Sequence, residues 1–351
     1  MTQLFQSEQQ YHQRFRMQGR RFGFQAASNQ EWQLWQRSLR AKIRELLGLD
    51  LLLPTALNAQ ITEMVQCDGY RRQRVEIDTE PGITMPLYVL IPDNLSGTAP
   101  GVIAAHGHAS GGKLAIAGIR GVDAGVDGKI AEHNYDYGVQ AVRRGYVVFC
   151  PDARGFGERR ESLSAGPTQM LDSSCRQLSH IAQPLGLTVA GMWTWDLMVL
   201  LDYMQTRTEV QGRKLGSIGL SGGGAQTLWL AALDERVQCA VISGYFYGVE
   251  DSLLYLSANC DCNYIPHMWE NADIGDVGAL IAPRPLLIEA ARQDPLNGPR
   301  GIANVEEQVA ITRRAYDLLS VSERLTTDYF DGGHVWHGAS VFDWLDRWLR
   351  E

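Results

Sequence analysis

The stretch from Lys214 to Leu233 constrains the fold of this chain of 351 residues more than any other part. It begins as a short apolar run, passes through a turn made almost wholly of glycine, and continues as an apolar segment of helical composition. Ser221 lies at the turn, inside a Gly-x-Ser-x-Gly pattern at residues 219–223. A sharp strand-to-helix turn strains its central residue, and side chains at Gly219 or Gly223 would collide with neighbouring backbone. The stretch therefore predicts a serine hydroxyl held clear of the backbone, as a nucleophile requires.

Short apolar runs alternate with helix-like segments along most of the chain. Such runs are typical of strands buried on both faces of a sheet. Earlier in the chain, two alternating segments flank a turn at Pro81-Gly82, as an antiparallel pair would. Strands that alternate with helices predict an α/β protein with a doubly wound, mostly parallel sheet of about eight strands. The predicted strands are residues 72–77, 83–92, 100–105, 146–150, 215–220, 237–243, 285–289 and 324–330.

The N-terminal part of the chain is helical in character. Residues 31–48 carry apolar side chains at spacings of three and four, which predicts an amphipathic helix ending at Gly48. The apolar stripe must be covered, either by the same domain, which we favour, or by a second copy in a homo-oligomer. We expect a helical extension of residues 1–65 packed on a catalytic domain of residues 66–351, with an insertion around 156–190 over the carboxyl ends of the strands. The stripe consists of Trp32, Trp35, Leu39, Ile43 and Leu46.

Charge and hydropathy narrow the classes of partner. The formal net charge is -8, and basic residues form no run longer than a pair, so a nucleic-acid partner is not expected. No stretch of eighteen apolar residues is present, and the first ten residues lack the pattern of a secretory signal. We therefore expect a cytoplasmic protein that has no membrane partner and acts on a small, uncharged molecule.

Ser221 needs a base and an orienting acid, which in the order serine, acid, histidine should follow later strands. Asp294 lies just beyond the strand of residues 285–289, and His334 follows the last strand after two glycines. Glu289 is the alternative acid, but it belongs to the apolar strand itself. His337 is the alternative base, but no glycine pair precedes it. We predict a triad of Ser221, Asp294 and His334.

Donors for a tetrahedral oxyanion are expected next to the serine. The backbone N–H of Gly222 is one candidate. The other comes from the His-Gly-His sequence at residues 106–108, where Gly107 lets the chain fold back and the amide of His108 point inward. The side chain of His106 is expected to be structural.

Six cysteines are spread along the chain. Cys150 and Cys239 lie in strand-like runs, where a thiol behaves as a small apolar group. Cys260 and Cys262, with His267 close behind, suggest a pair of metal ligands. Their one-residue gap differs from that of zinc knuckles, however, and the sequence offers no second pair. We therefore predict reduced, structural cysteines and no bound metal.

Aromatic residues cluster just past the strand of residues 237–243. Tyr245, Tyr247 and Tyr264 could offer flat apolar faces and hydroxyl groups to a sugar ring or a short acyl chain. Capping of the core is an equally good explanation. We predict that these three tyrosines wall the substrate pocket.

Five motifs carry a resemblance to a known family. They are His-Gly-His at 106–108, Pro-Asp-Ala-Arg-Gly-Phe-Gly at 151–157, Gly-Leu-Ser-Gly-Gly-Gly at 219–224, Ala-Pro-Arg-Pro-Leu-Leu-Ile-Glu at 282–289 and Gly-Gly-His at 332–334. Over roughly residues 70–345 the chain resembles bacterial α/β-hydrolases of the dienelactone hydrolase-like and acetyl xylan esterase-like group.

The resemblance implies an α/β-hydrolase fold and a cofactor-free serine carboxylesterase. Its substrates would be short-chain esters of the acetyl type, including acetylated carbohydrates. It also implies that Asp152 and Arg154 form a buried, non-catalytic ion pair. The chain departs from dienelactone hydrolase, which has a cysteine where Ser221 stands, and from secreted xylan esterases, which carry a leader. The alternatives are a prolyl oligopeptidase-type peptidase and a non-catalytic binding protein on the same fold.

Overall fold

The computed structural model of the protein describes residues 7–162, 170–256 and 259–351. Part of the predicted insertion, residues 163–169, thus lies outside the described residues. The described strands are β1 Gln60–Gln66, β2 Tyr70–Glu80, β3 Ile83–Pro92, β4 Ala99–Ala105, β5 Val147–Pro151, β6 Val210–Leu220, β7 Val237–Ser243, β8 Leu286–Ala291 and β9 Leu325–Phe330. All nine belong to one sheet, in the order β1-β2-β3-β5-β4-β6-β7-β8-β9.

The pairing directions divide the sheet into two parts. β1, β2, β3 and β5 pair antiparallel, whereas β5, β4, β6, β7, β8 and β9 run parallel. The predicted mostly parallel α/β sheet is confirmed. Because parallel strands end at the same edge, the loops after β4, β6, β8 and β9 meet there.

β1 is the strand that the sequence did not reveal. It lies inside the N-terminal segment of residues 1–65, for which we expected helices, and it pairs with β2 at the edge of the sheet. Six of its seven side chains are exposed, including Ile61 and Met64. An edge strand with so little burial has no hydrophobic alternation for a sequence pattern to detect.

Helices cover both faces of the sheet. They are α1 Glu8–Gln18, α2 Asn29–Leu47, α3 Lys113–Ile116, α4 Ala124–His133, α5 Tyr137–Arg143, α6 Cys175–Ala182, α7 Val189–Thr206, α8 Gly222–Leu233, α9 Met268–Asn271, α10 Ile274–Ala279, α11 Ile302–Leu318 and α12 Val341–Leu349. Ile103 and Ala105 of β4 belong to one apolar core, together with α2, α7, α8, α10 and α11. Val102 and Ala104 belong to the core on the other face, with α3, α4, α5 and α12. Both faces are therefore buried, as the continuous apolar runs predicted.

α2 packs on its own domain. The Ser28 side chain accepts a hydrogen bond from the Glu31 N–H at its start, and Gly48 ends it in the left-handed conformation. Leu39 and Ile43 are fully buried in the core that α7 and α8 share. The stripe is thus covered within the chain, and a homo-oligomer through the N-terminal helices stays a prediction.

The predicted ion pair between Asp152 and Arg154 is wrong, although both residues are buried. Asp152 accepts hydrogen bonds from the backbone N–H of Lys113 at 2.7 Å and from its Nζ at 2.5 Å. Arg154 forms a two-pronged pair with Asp196 at 2.8 and 3.0 Å and also reaches Glu80. Each of the two residues thus pairs with a partner from outside the 151–157 loop, which a motif alone does not reveal.

Among the described residues, no single helix is long and apolar enough to cross a membrane. Only the segments Cys175–Leu185 and Val189–Thr206, bent by 93°, meet the length and composition criteria together.

Candidate active site

Ser221 lies between β6 and α8 with a strained backbone. Its φ is 60° and its ψ is -119°, a conformation that is costly for a residue with a side chain. A Cβ on Gly219 would lie 2.4 Å from the carbonyl carbon of Gly223, and a Cβ on Gly223 would lie 2.0 Å from the carbonyl oxygen of Ala105. The packing therefore requires both glycines, as the sequence predicted.

His334 and Asp294 form the predicted pair at the same edge of the sheet. Nδ1 of His334 lies 2.6 Å from Oδ2 of Asp294, and the other oxygen of Asp294 accepts the backbone N–H of Leu296 at 2.9 Å. Asp294 is buried, whereas the His334 side chain is about one-fifth exposed. This arrangement fixes the imidazole and leaves its Nε2 available for a substrate or a nucleophile.

The two alternative residues are occupied elsewhere. Glu289 is fully buried and accepts hydrogen bonds from the Ser243 hydroxyl and from the backbone N–H groups of His337 and Gly338, at 2.7, 2.9 and 2.7 Å. Burial raises the pKa of Glu289 although these donors favour its charged form. The His337 ring stacks on Phe330 and contacts Asp328. Glu289 thus anchors the loop that follows β9.

His133 is a site residue that sequence reasoning missed. Its Nδ1 donates to the carbonyl oxygen of His334 at 2.8 Å. Asn134 donates to the carbonyl of Trp336 at 3.1 Å, and the Trp336 N–H donates to the carbonyl of His133 at 3.0 Å. The end of α4 therefore holds the loop that carries His334, and no motif around residue 133 announces this contact.

A cavity of about 350 Å³ opens at this edge of the sheet. Ser221, His334, Gly222 and His108 all line it. Among the described residues, the Ser221 hydroxyl makes no hydrogen bond, so the serine and histidine share the cavity without being joined. Hydrogen bonds of this kind are often long before substrate binds.

The two backbone amides expected as oxyanion donors, those of Gly222 and His108, lie close together at this cavity. Gly222 is the first residue of α8, where backbone N–H groups have no partner within the helix and the helix dipole is positive. A Cβ on Gly222 would lie 3.5 Å from the backbone nitrogen of His108, so the two amides are neighbours. The His106 side chain is structural, since its Nε2 accepts the Ala153 N–H at 3.0 Å in the buried interior. Burial lowers the pKa of His106.

Two of the three predicted tyrosines line the cavity. Tyr245 and Tyr247 are both almost fully buried and both belong to the core, so pocket wall and core cap are the same residues. Tyr264 is half-buried, is not among the residues lining this cavity, and donates its hydroxyl to the carbonyl of Leu253 at 3.1 Å. Tyr135, which the sequence did not single out, lines the cavity and donates to the carbonyl of His108.

Three of the six cysteines gather next to the cavity, and one of them, Cys260, lines it. Cys175, Cys260 and Cys262 lie beside the ring of His108, and none of them is in a disulfide. The sequence did not reveal that these three cysteines meet, and their structural role stays a prediction. His267, the histidine that the sequence placed next to the pair, is exposed and contacts Glu270 instead.

Taken together, the doubly wound sheet and the strained serine at the strand-to-helix turn define an α/β-hydrolase. A family model described as the Abhydrolase family matches residues 12–297, and the chain belongs to that family. The matched range includes Ser221 and Asp294 and ends before His334.

Individual proteins show the same likeness. The chain is 28% identical over 274 residues to "Putative hydrolase YtaP" of Bacillus subtilis (strain 168), which covers 75% of this chain and 83% of that protein. Its fold is similar to that of "a putative acetyl xylan esterase" from Bacteroides fragilis, with a TM-score of 0.76, 21% identity and coverage of 93% of this chain and 83% of that one. A glucuronoyl esterase from Solibacter usitatus gives a TM-score of 0.65 at 17% identity, with 95% of each chain covered. The resemblance to the α/β-hydrolase group is confirmed, and at these identities the solved structures bear on the fold alone.

Proposed function

We propose that the protein is a serine carboxylesterase that hydrolyses esters of short, uncharged acyl groups through an acyl-enzyme. The proposal depends on one observation. Ser221, His334 and Gly222 at the amino end of α8 line a single cavity of about 350 Å³, and Asp294 is hydrogen-bonded to Nδ1 of His334. Membership of the Abhydrolase family and the hydrolase name of the Bacillus subtilis relative support a hydrolytic reaction.

The reaction follows from the roles that these groups can take. The Ser221 hydroxyl attacks the ester carbonyl carbon while Nε2 of His334 takes its proton, and Asp294 holds the imidazole in the correct tautomer. The carbonyl oxygen becomes an oxyanion that accepts hydrogen bonds from the N–H groups of Gly222 and His108. Loss of one such donor costs roughly 3 to 4 kcal/mol of transition-state stabilisation.

His334 acts first as an acid and then again as a base in the steps that follow. His334 gives its proton to the leaving alcohol as the tetrahedral intermediate collapses to an ester of Ser221. Water then attacks this acyl-enzyme while His334 takes its proton, and His334 gives that proton to Oγ of Ser221 as the acid is released. Because imidazolium cannot accept a proton, only the neutral form of His334 can serve as this base.

The lining of the cavity supports a short, uncharged acyl group. Tyr245, Tyr247 and Leu296 supply apolar surface, and the described lining residues include neither lysine nor arginine that could pair with a carboxylate. The similar Bacteroides fragilis structure is described as "a putative acetyl xylan esterase", which supports acetyl esters of a carbohydrate as substrates.

Esterase and peptidase assays on the wild type and Ser221→Ala test the proposal. We expect turnover of p-nitrophenyl acetate, weaker turnover of the octanoate, and none of an aminoacyl p-nitroanilide. Ser221→Ala should lower kcat by about 10⁴-fold or more while the far-UV circular dichroism is kept. Activity within tenfold of wild type would show that Ser221 is not the nucleophile.

Two further measurements separate chemistry from substrate choice. A fluorophosphonate should label the wild type at Ser221 and should leave Ser221→Ala unlabelled. Acetylated xylo-oligosaccharides should be better substrates than a methyl ester of glucuronic acid, because the acetyl group is the smaller acyl group. Labelling without ester turnover would favour the peptidase, and the absence of labelling would favour a binding protein.

A further inference from the structure

Four metal-binding side chains converge next to the cavity, and two of their residues, His108 and Cys260, line it. One ligand atom from each of His108, Cys175, Cys260 and Cys262 lies within 4.8 Å of the other three. They come from three separate parts of the chain: the loop after β4, the first residue of α6, and the loop of residues 259–263. Nε2 of His108 lies 3.5 Å from Sγ of Cys262. These distances gather three sulfurs and one imidazole nitrogen around one point.

The spacing fits a tetrahedral metal ion. Zinc–sulfur bonds of about 2.3 Å and zinc–nitrogen bonds of about 2.0 to 2.1 Å place a sulfur and a nitrogen roughly 3.6 Å apart across a tetrahedral angle. The observed distance of 3.5 Å between His108 and Cys262 agrees with this value. A disulfide would join only two of the three thiols, so it would not explain why the third thiol and the imidazole lie at the same place.

We propose that His108, Cys175, Cys260 and Cys262 bind a single zinc ion. Three thiolates and one imidazole are soft and borderline donors that favour zinc over magnesium or calcium. All four positions are filled by protein, as in structural sites, so no position is left for a metal-bound water. The ion therefore holds the structure together and takes no part in ester hydrolysis.

Groups around the cluster are arranged to support thiolates. The Asn263 side chain donates toward Sγ of Cys262 at 3.6 Å and to the carbonyl of Cys260 at 3.1 Å. Its own oxygen accepts the buried Tyr245 hydroxyl at 2.6 Å, which fixes the orientation of the amide. Such outer contacts orient metal ligands and tune their charge.

The site has a consequence for the cavity. The ring of His108 lies against Gly222, since a Cβ on that glycine would lie 2.7 Å from Nδ1. A zinc ion on Nε2 fixes this ring and with it the backbone of residue 108. It also ties the residue 259–263 loop and the start of α6 to the loop after β4, so one ion joins three separate segments, two of which line the cavity.

Metal content of the purified full-length protein is the direct test. Under reducing conditions we expect about one zinc ion per chain in the wild type and in Cys67→Ser, a matched half-buried cysteine outside the cluster. Cys260→Ser and Cys262→Ser should bind zinc at least tenfold more weakly. Wild-type protein that keeps its native circular dichroism yet takes up no zinc or cobalt at micromolar concentration would overturn the proposal.

A spectroscopic and a stability measurement make the outcome specific. Cobalt substitution should give the intense visible bands of tetrahedral cobalt with thiolate ligands, and these bands should be absent in Cys262→Ser. Removal of the metal by a chelator should lower the melting temperature, and zinc should restore it. A disulfide between any two of the three cysteines in protein purified without added oxidant would overturn the site. None of these readouts depends on esterase activity, so a zinc-loaded protein without turnover would count against the proposed function alone.

Discussion

The chemistry of Ser221 depends on where the backbone places it. With φ of 60°, the residue occupies the sharp turn between β6 and α8, and it lines the cavity that His334 also lines. Gly219 and Gly223 are required for a steric reason, since a Cβ at either position would overlap backbone atoms. The serine was predictable because both the strain and the packing leave a trace in the sequence.

Other residues of the site leave no such trace. His133 and Tyr135 act through single hydrogen bonds to carbonyl oxygens of residues 334 and 108. A side chain that contacts a distant backbone atom needs no neighbouring motif, so one sequence cannot reveal it. The same holds for Cys175, which meets Cys260 and Cys262 only in the folded chain.

Exchange of the two candidate acids for amides should separate their roles. Asp294→Asn places an amide group against Nδ1 of His334 and favours the wrong tautomer, so kcat should fall by about 10³- to 10⁴-fold. Glu289→Gln puts an N–H₂ group among three donors, which should cost about 1 to 3 kcal/mol of stability with a much smaller effect on kcat. Steady-state kinetics and thermal denaturation of both variants measure this. The opposite ranking in kcat would move the acid to Glu289.

At the scale of elements, the buried strands were the ones that the sequence predicted. β4, β7, β8 and residues 215–220 of β6 are buried almost throughout and were found as apolar runs, whereas β1 is exposed and was missed. The antiparallel β2–β3 pair was found because its turn contains Gly82, whose φ is 77°. The predicted insertion supplies Cys175, at the start of α6, to the cluster beside His108, and its residues 163–169 lie outside the described part.

Two glycine-to-alanine changes compare the tight turn at Ser221 with an exposed position in a helix. Gly223→Ala forces a Cβ to within 2.0 Å of the Ala105 carbonyl oxygen, so it should cost about 3 kcal/mol or more. Gly128→Ala in α4 meets nothing within 4 Å and should stabilise by about 0.5 to 1 kcal/mol. Denaturant unfolding of both variants gives the two values. A Gly223→Ala protein as stable as wild type would mean that the turn is looser than described here.

The contact between α4 and the loop after β9 gives a positioning role to His133. His133→Ala removes the donor to the His334 carbonyl, so kcat should fall roughly tenfold with little change in melting temperature. His133→Asn keeps a donor at a similar place and should restore most of kcat. Equal losses in both variants would indicate that the ring contacts substrate instead.

At the scale of the whole molecule, the strand order explains how distant residues meet. β4, β6, β8 and β9 are parallel, and the segments after them supply His108, Ser221, Asp294 and His334. The α/β class and this convergence could be predicted, because strand alternation fixes the topology. Buried ionic partners could not, as Asp152 and Arg154 show. The cytoplasmic location and the homo-oligomer stay predictions.

We expect the free energy of unfolding to depend on pH through the ionisation of Asp273. This residue precedes α10, accepts the N–H groups of Ile274 and Val249, and is buried. Burial raises its pKa from 3.8 to about 6, and nearby Asp276 adds to this. A raised pKa means that the folded protein binds the proton more tightly than the unfolded chain. The contribution of Asp273 to stability is therefore full below about pH 4 and is lost as pH rises through about 6.

Asp273→Asn isolates this contribution because the amide cannot ionise. The stability of wild type relative to Asp273→Asn should decline between about pH 4 and pH 6, by on the order of 2 to 3 kcal/mol, and should then level off. The variant also alters the contact of Gln308 with this side chain, but that difference is independent of pH and leaves the slope unchanged. Chemical denaturation of both proteins across this range gives the difference directly. If it stays constant with pH, Asp273 is charged in the folded protein at all these values, and the hydrogen bonds from Ile274 and Val249 outweigh burial.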